Sequence, residues 1–349
     1  KAMIFGKDRL TAVAQGDPCD RIPVFCNLLD QGAKEIGISL REYYSAGECV
    51  AEGQLRMRER YGYDNLWCLF YVGKEAEMLG CEEIVFSEMG PPNVGQLILR
   101  DADDIHRLEV PDELDDLPAF QEPRKCLDIL RHEAAGKYPI CAYVTASMTL
   151  PAILMGMERW MDLLFNGPTE LRDELLEKCS AFVQKELATY RAAGVDVLLY
   201  ADPFASTDFV SMKFIQEHSL PWLERDLLPG GMEGVVFYCG GARMSTVIEQ
   251  VFARTKIGVY YLGPMDDIAQ CKWSLGGRAL SAGVINDIKL IDWSPQQVRE
   301  EVRRILDVGM PGGKFFFGTV VMPYAIPEAN IRAMLDAAYE YGRLAAQNE

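Results

Sequence analysis

The chain has 349 residues, 49% apolar and 25% charged. That is an ordinary globular composition, which excludes collagen, coiled coil and disorder. The 35 Lys and Arg against 52 Asp and Glu leave a net charge of −17, a field that repels phosphate backbones and anionic bilayers and argues against nucleic-acid and membrane partners.

In chain order, apolar runs occur at 21–29 (RIPVFCNLL), 64–70 (DNLWCLF), 138–145 (YPICAYVT) and 195–202 (VDVLLYAD). They continue at 234–240 (GVVFYCG), 257–263 (IGVYYLG), 279–287 (ALSAGVIND) and 313–319 (GKFFFGT). Each is apolar throughout, as expected of strands covered on both faces. Amphipathic stretches lie between them, the clearest at 40–62, 168–194, 294–309 and 326–347. Several open with Pro and end in Gly, the usual helix punctuation.

Eight strands alternating with helices predict a (β/α)8 barrel, read as one domain over 1–349. Residues 71–137 break the rhythm after the second strand and read as a small β-rich insertion followed by a helix. A doubly wound sheet is the alternative, but no glycine fingerprint follows an early strand.

No apolar run approaches the roughly 18–20 residues of a membrane span. The opening KAMIFGKDRLTAVAQGD has no signal-peptide core or cleavage site, so a soluble cytoplasmic protein is expected. None of the ten Cys forms a CxxC pair, so reduced and mostly buried thiols are expected. In a barrel the active site sits at the C-terminal ends of the strands. Those ends carry Asn27, Asp30, Tyr71, Thr145, Asp202, Tyr238, Cys239, Asp287 and Thr319.

Several segments, in order, resemble the uroporphyrinogen decarboxylase superfamily. They are KDRLTAVAQGDPCDRIPVF near the start, EAEMLG at 75–80, VTASMTLPAIL at 144–154 and RAAGVDVLLYADPFASTDFVS at 191–211. VVFYCGG at 235–241, AGVINDIKLIDWSPQQVREEV at 282–302 and PYAIPEANIRAM at 323–334 complete the set. The resemblance implies one of two activities, tetrapyrrole decarboxylation or cobalamin-dependent methyl transfer.

The decarboxylase pattern requires arginines for a polycarboxylate. Its two arginine columns fall here on Leu28 and Gly32, with Asp30 between them. Its catalytic Asp column is Tyr71, and its late His column is Val320. The thiol-directed methyltransferase pattern carries zinc on H-x-C and a late Cys. Here the H-x-C window is Phe237-Tyr238-Cys239 and the late column is again Val320. The spacing Asp202-x14-Glu217-x21-Cys239 instead resembles the carboxylate-rich zinc sets of O-demethylating corrinoid methyltransferases, with Tyr238 as an auxiliary ligand.

The resemblance therefore implies a methyltransferase that moves a methyl group from a methoxylated aromatic, or another small donor, to Co(I) of a corrinoid protein. Zinc on Asp202, Glu217 and Cys239 would stabilise the leaving phenolate. The expected catalytic residues are Cys239, Asp202, Glu217 and Tyr238. The expected substrate-binding residues are Asn27, Asp30, Tyr71, Glu77, Met148, Ser206, Phe237, Arg243 and Asp287. Phe25, Trp67, Phe70 and Phe204 add aromatic surface near strand ends, and Arg243 would hold a donor carboxylate.

Structural readings stand beside these. Cys239 also reads as a buried strand cysteine, Asp202 as a helix cap, and Glu217 as a solvated helix acid. His218 reads as structural, His106 and His132 as surface. The partners implied are a small methyl donor and a corrinoid protein, and a homodimer is allowed. The alternatives are uroporphyrinogen decarboxylation and a non-catalytic ligand-binding barrel.

Overall fold

The computed structural model describes residues 3–344. Eight parallel strands form the barrel: β1 Val24–Asn27, β2 Leu66–Trp67, β3 Ile140–Thr145, β4 Val197–Ala201, β5 Val235–Tyr238, β6 Val259–Tyr261, β7 Leu280–Ile285 and β8 Phe315–Val321. Each falls within one of the eight apolar runs, give or take two residues. They follow one another around the sheet from β2 to β8, and β1 joins β8 with Val24 opposite Phe317.

The β1–β2 seam is closed partly by side chains, because β2 is only two residues long. The Asp64 N–H donates to the Val24 carbonyl at 2.9 Å, and the Asp64 carboxylate accepts the Val24 N–H at 2.8 Å. Asn65 then stands in for the next rung: its Oδ1 accepts the Cys26 N–H at 2.9 Å and its Nδ2 donates to the Cys26 carbonyl at 3.2 Å. Arg9 and Arg21 pair with the buried Asp64 at 2.9 and 2.5 Å. These partners offset the cost of placing a carboxylate in the core.

Aromatic rings fill the barrel. Phe25 packs edge-on against Phe316 at 5.2 Å, and Tyr261 lies 6.1 Å from both Phe316 and Tyr238. Gly318 leaves room for Tyr261, whose hydroxyl donates to the Thr319 carbonyl at 2.8 Å.

Three of the long helices follow the amphipathic stretches: Thr169–Ala192, Pro295–Gly309 and Glu328–Tyr341. Pro295–Gly309 opens with Ser294 and Gln297 capping each other, as Ser-Pro-x-Gln predicts. The 326–347 stretch stops at Tyr341, and its residues 345–347 lie outside the described region. The 40–62 stretch is two helices, Leu40–Ser45 and Gly47–Tyr61, because Ala46 is extended and the Gly47 N–H turns to Glu122 Oε2 at 2.6 Å.

The insertion at 71–137 is less β-rich than expected. It holds one hairpin, Ile84–Val85 against Asn93–Val94, and the helices Gly73–Met78, Ala102–Arg107 and Pro118–Ala134. Pro91 and Pro92, just before the second strand, lack the N–H that would extend the ladder. Eight of the ten cysteines are buried, and all ten are free thiols. Among the described residues no helix is long and apolar enough to cross a membrane.

Candidate active site

A cavity of about 460 Å³ opens at the C-terminal end of the barrel. The strands bring its walls together from distant parts of the chain. β1 and the turn after it supply Asn27 and Asp30, the segment after β2 supplies Phe70 and Tyr71, and β3 supplies Tyr143. Tyr238 ends β5, Asp287 follows β7, and Val320 and Val321 end β8. Trp67 forms part of the lining, and Tyr44 reaches it from the helix Leu40–Ser45.

Six of the lining side chains are aromatic. Phe70 stacks on Tyr143 at 4.7 Å and 30°, and Tyr143 meets Tyr238 edge-on at 6.5 Å. Tyr44 meets Tyr71 edge-on at 5.6 Å. Gly240 and Gly241 complete this wall in the left-handed region, at φ 63° and 89°. A Cβ at Gly240 would lie 2.6 Å from the Pro203 ring, so the turn after β5 needs glycine for both its φ and its space.

Two carboxyl groups face this apolar lining. Asp30 is 2% exposed. Burial raises its pKa to about 6 against the opposing pull of the Tyr44 hydroxyl, which donates to it, and of Lys34. Lys34 is engaged elsewhere: it bonds the Tyr324 carbonyl and sits 3.9 Å over the Tyr324 ring. Burial also raises the half-buried Asp287. Tyr71 donates its hydroxyl to Glu77 at 2.5 Å, and Lys74 pairs with that carboxylate at 2.7 Å while lying 4.8 Å over the Tyr71 ring. Among the described residues no Lys, Arg or His lines the cavity, and the buried Asn27 Oδ1 has no hydrogen-bond partner.

Several expected site residues lie at the cavity: the substrate residues Asn27, Asp30, Tyr71 and Asp287 and the catalytic candidate Tyr238 line it, and Glu77 orients Tyr71. Others lie elsewhere. Phe237 is wholly buried and packs on Tyr260 at 6.1 Å, because it alternates with the inward Tyr238 along β5. Met148 is buried, its carbonyl taken by Trp160 Nε1 at 3.0 Å. Ser206 donates to the Arg243 carbonyl at 2.6 Å. Arg243 is exposed and forms a two-point pair with Asp208, at 2.9 and 2.6 Å, so it is not free to hold a donor carboxylate. Of the expected aromatics, Phe25 lies lower in the barrel, and Phe204 packs near Trp160.

The expected zinc set is not assembled. Among the described residues no three His, Cys, Asp or Glu side chains are placed to hold a metal ion. Asp202 and Cys239 are neighbours, and both are wholly buried. Asp202 accepts the Thr149 hydroxyl at 2.9 Å and caps the short turn Pro203–Ala205 through the Phe204 N–H. Burial raises Asp202 to about 7, against the Thr149 bond and with Asp226 nearby adding to the rise. Burial, with Asp202 beside it, likewise raises the Cys239 thiol far above its ordinary range. Glu217 is the missing member: it is exposed on the π-helical turn Ile215–Ser219, with Lys213 4.0 Å away. Ile215 and Ser219 are the buried residues of that turn, so Glu217 midway between them faces outward. The residues present do not fit a three-ligand zinc site.

Tyr44 and Tyr143 were missed. Tyr143 had a local signal, since it lies two residues before the end of β3 and so shares a face with Thr145. Tyr44 had none, because its place depends on how a helix outside the barrel packs. His106 and His132 are exposed, as read, and His218 stacks on Phe214 at 4.8 Å.

The family profile described as Uroporphyrinogen decarboxylase (URO-D) matches residues 5–341. A methylcobamide:CoM methyltransferase of Methanosarcina barkeri is 24% identical over 346 residues, 96% of this chain and 98% of that one. A uroporphyrinogen decarboxylase of Xanthomonas campestris pv. campestris is 26% identical over 325 residues, 86% of this chain and 87% of that one. A methyltransferase from Methanosarcina mazei, known from its solved structure, superposes with a TM-score of 0.82 at 19% identity, over 97% of this chain and 99% of that one. That likeness establishes the fold. The sequence identities do not separate the two activities, and the cavity has to.

Proposed function

The chain belongs to the uroporphyrinogen decarboxylase family, and from that premise we propose that it is a corrinoid-dependent methyltransferase. It moves a methyl group from a small donor to Co(I) of a corrinoid carried by a partner protein. The observation that carries this reading is the charge of the cavity: two carboxyl groups and no cationic side chain line it among the described residues. A tetrapyrrole polycarboxylate needs arginine partners, and here it would meet Asp30 and Asp287. At the family's cation columns, Leu28 is buried, Gly32 packs against Tyr43, and Val320 is an apolar part of the wall.

The size and lining suit a small donor. A small methylated donor would pack on the aromatic wall with the carboxyls of Asp30 and Asp287 beside it. The corrinoid is a co-substrate that must approach the open end of the barrel. Exposed apolar side chains stand there: Val72 and Val321 line the cavity, and Met265 and Ile288 directly follow the lining residues Pro264 and Asp287. They form an apolar rim of the kind that marks partner surfaces. The ten free thiols suit a reducing compartment, so we place the reaction in the cytoplasm.

The test is anaerobic spectroscopy of a Co(I) corrinoid protein with this chain and a panel of methylated donors. Donor-dependent loss of the Co(I) band, with growth of methyl-Co(III), is the expected result. Release of CO2 from uroporphyrinogen with no methyl transfer would overturn it.

A further inference from the structure

Resting on the methyltransferase reading, we infer that the donor is a methylated ammonium cation, held in the cavity by Asp30, Asp287 and a wall of tyrosine, phenylalanine and tryptophan rings.

Three observations converge. The first is charge. Asp30 is buried beside Tyr44, Lys34 is turned to Tyr324, and neither Asp30 nor the half-buried Asp287 has a salt-bridge partner among the described residues. Burying carboxylates is costly unless a positive charge accompanies them. A neutral guest leaves that cost in place, an anionic guest adds repulsion, and a cation offsets it.

The second is the wall. Phe70, Tyr143 and Tyr238 form one connected aromatic cluster, and Tyr44 with Tyr71 forms another. Aromatic faces attract ammonium groups, and quaternary ammonium ions above all, because their positive charge is spread over methyl groups that pack as apolar surface. The same chain already sets ammonium groups over tyrosine rings, Lys74 at 4.8 Å from Tyr71 and Lys34 at 3.9 Å from Tyr324.

The third is the surrounding field. A net charge of −17 raises the local concentration of cations and lowers that of anions. Asn27 Oδ1, buried and without a partner, adds an acceptor for an N–H donor when the ammonium carries a proton.

The transfer balances without a further reactant. Co(I) supplies the electron pair of the new Co–C bond, and the C–N pair stays on nitrogen. A positively charged ammonium therefore leaves as a neutral amine with one methyl fewer.

The experiment is calorimetric titration of the full chain with a cationic, a neutral and an anionic methyl compound: tetramethylammonium, anisole and 4-methoxybenzoate. Tetramethylammonium is expected to bind about tenfold or more tighter than anisole, and 4-methoxybenzoate most weakly. Asp287→Asn, at a half-exposed position that tolerates an amide, should reduce tetramethylammonium affinity several-fold and leave anisole unaffected. Equal or tighter binding of anisole or 4-methoxybenzoate overturns the inference, as does an unchanged cation affinity in Asp287→Asn. The corrinoid assay separates the two readings. Selective cation binding with no methyl transfer from any donor keeps the cation site and removes the methyltransferase. Methyl transfer from a methoxyaromatic, with no cation binding, does the reverse.

Discussion

Glu75, on the short helix Gly73–Met78 after β2, and Glu186, on the helix Thr169–Ala192, lie close together with both carboxyls wholly buried, no salt bridge to either, and Glu75 Oε2 and both Glu186 oxygens without a hydrogen-bond partner among the described residues. Two unpaired acids so close in such a place do not both ionise. Burial raises both pKa values, Glu75 to about 7, against the bond it accepts from the Thr145 N–H at 2.7 Å.

Both groups are raised above their unfolded values, so the stability they contribute is full below about pH 4.5 and is lost as pH rises through about 7 for Glu75. Asp202, at about 7, and Asp30, at about 6, act with the same sign. The melting temperature should therefore fall between pH 5.5 and pH 8, and Glu186→Gln, which keeps the side chain's shape but removes one acid, should flatten the decline. A melting temperature that rises across this range would contradict the account.

Asp64 closes the barrel seam with its backbone and its carboxylate while paired to Arg9 and Arg21. Asp64→Ala should cost on the order of 3 kcal/mol, because it breaks a buried pair and strips a ladder bond. Glu52→Ala, which breaks an exposed pair with Arg56, should cost well under about 1 kcal/mol. Urea midpoints of the two variants would show whether burial sets the difference. Equal midpoints would mean that Asp64 does not close the seam.

Gly240→Ala places a methyl group against Pro203 in a left-handed turn. The expected cost is about 1–3 kcal/mol, together with weaker binding of any donor, since Gly240 is part of the cavity wall. A variant as stable as the parent would show that the turn after β5 has another conformation within easy reach.

Glu217→Gln tests the unassembled metal set. The exposed carboxylate lies apart from Cys239, so zinc content after dialysis against zinc should be the same in the variant and the parent. Loss of one bound zinc per chain in Glu217→Gln would restore the three-ligand set. In the folded protein Cys239 should also resist iodoacetamide at pH 8, since it is wholly buried and its thiol is raised. Cys19 and Cys49, the two thiols not fully buried, should be the first to react. Prompt alkylation of Cys239 would mean that the β5 end opens.

The sequence by itself determined the barrel. All eight strands lie in apolar runs, because a strand covered on both faces must be apolar along its length, a property written residue by residue. Strand ends are legible for the same reason, and so Asn27, Asp30, Tyr71, Tyr238 and Asp287 could be placed at the cavity. Only the tertiary structure decided which groups meet. Glu217 and Cys239 look like partners by spacing, yet the buried Ile215 and Ser219 set the phase of the intervening turn and point the acid outward. Phe237 and Tyr238 are adjacent, and the pleat sends one into the wall and the other to the cavity. Tyr44 comes to the site on a helix whose angle follows from the break at Ala46 and the bond from Gly47 to Glu122. The charge of the cavity depends on all these convergences at once. Composition counts every charge in the chain, whereas binding depends on the few that share an enclosed space.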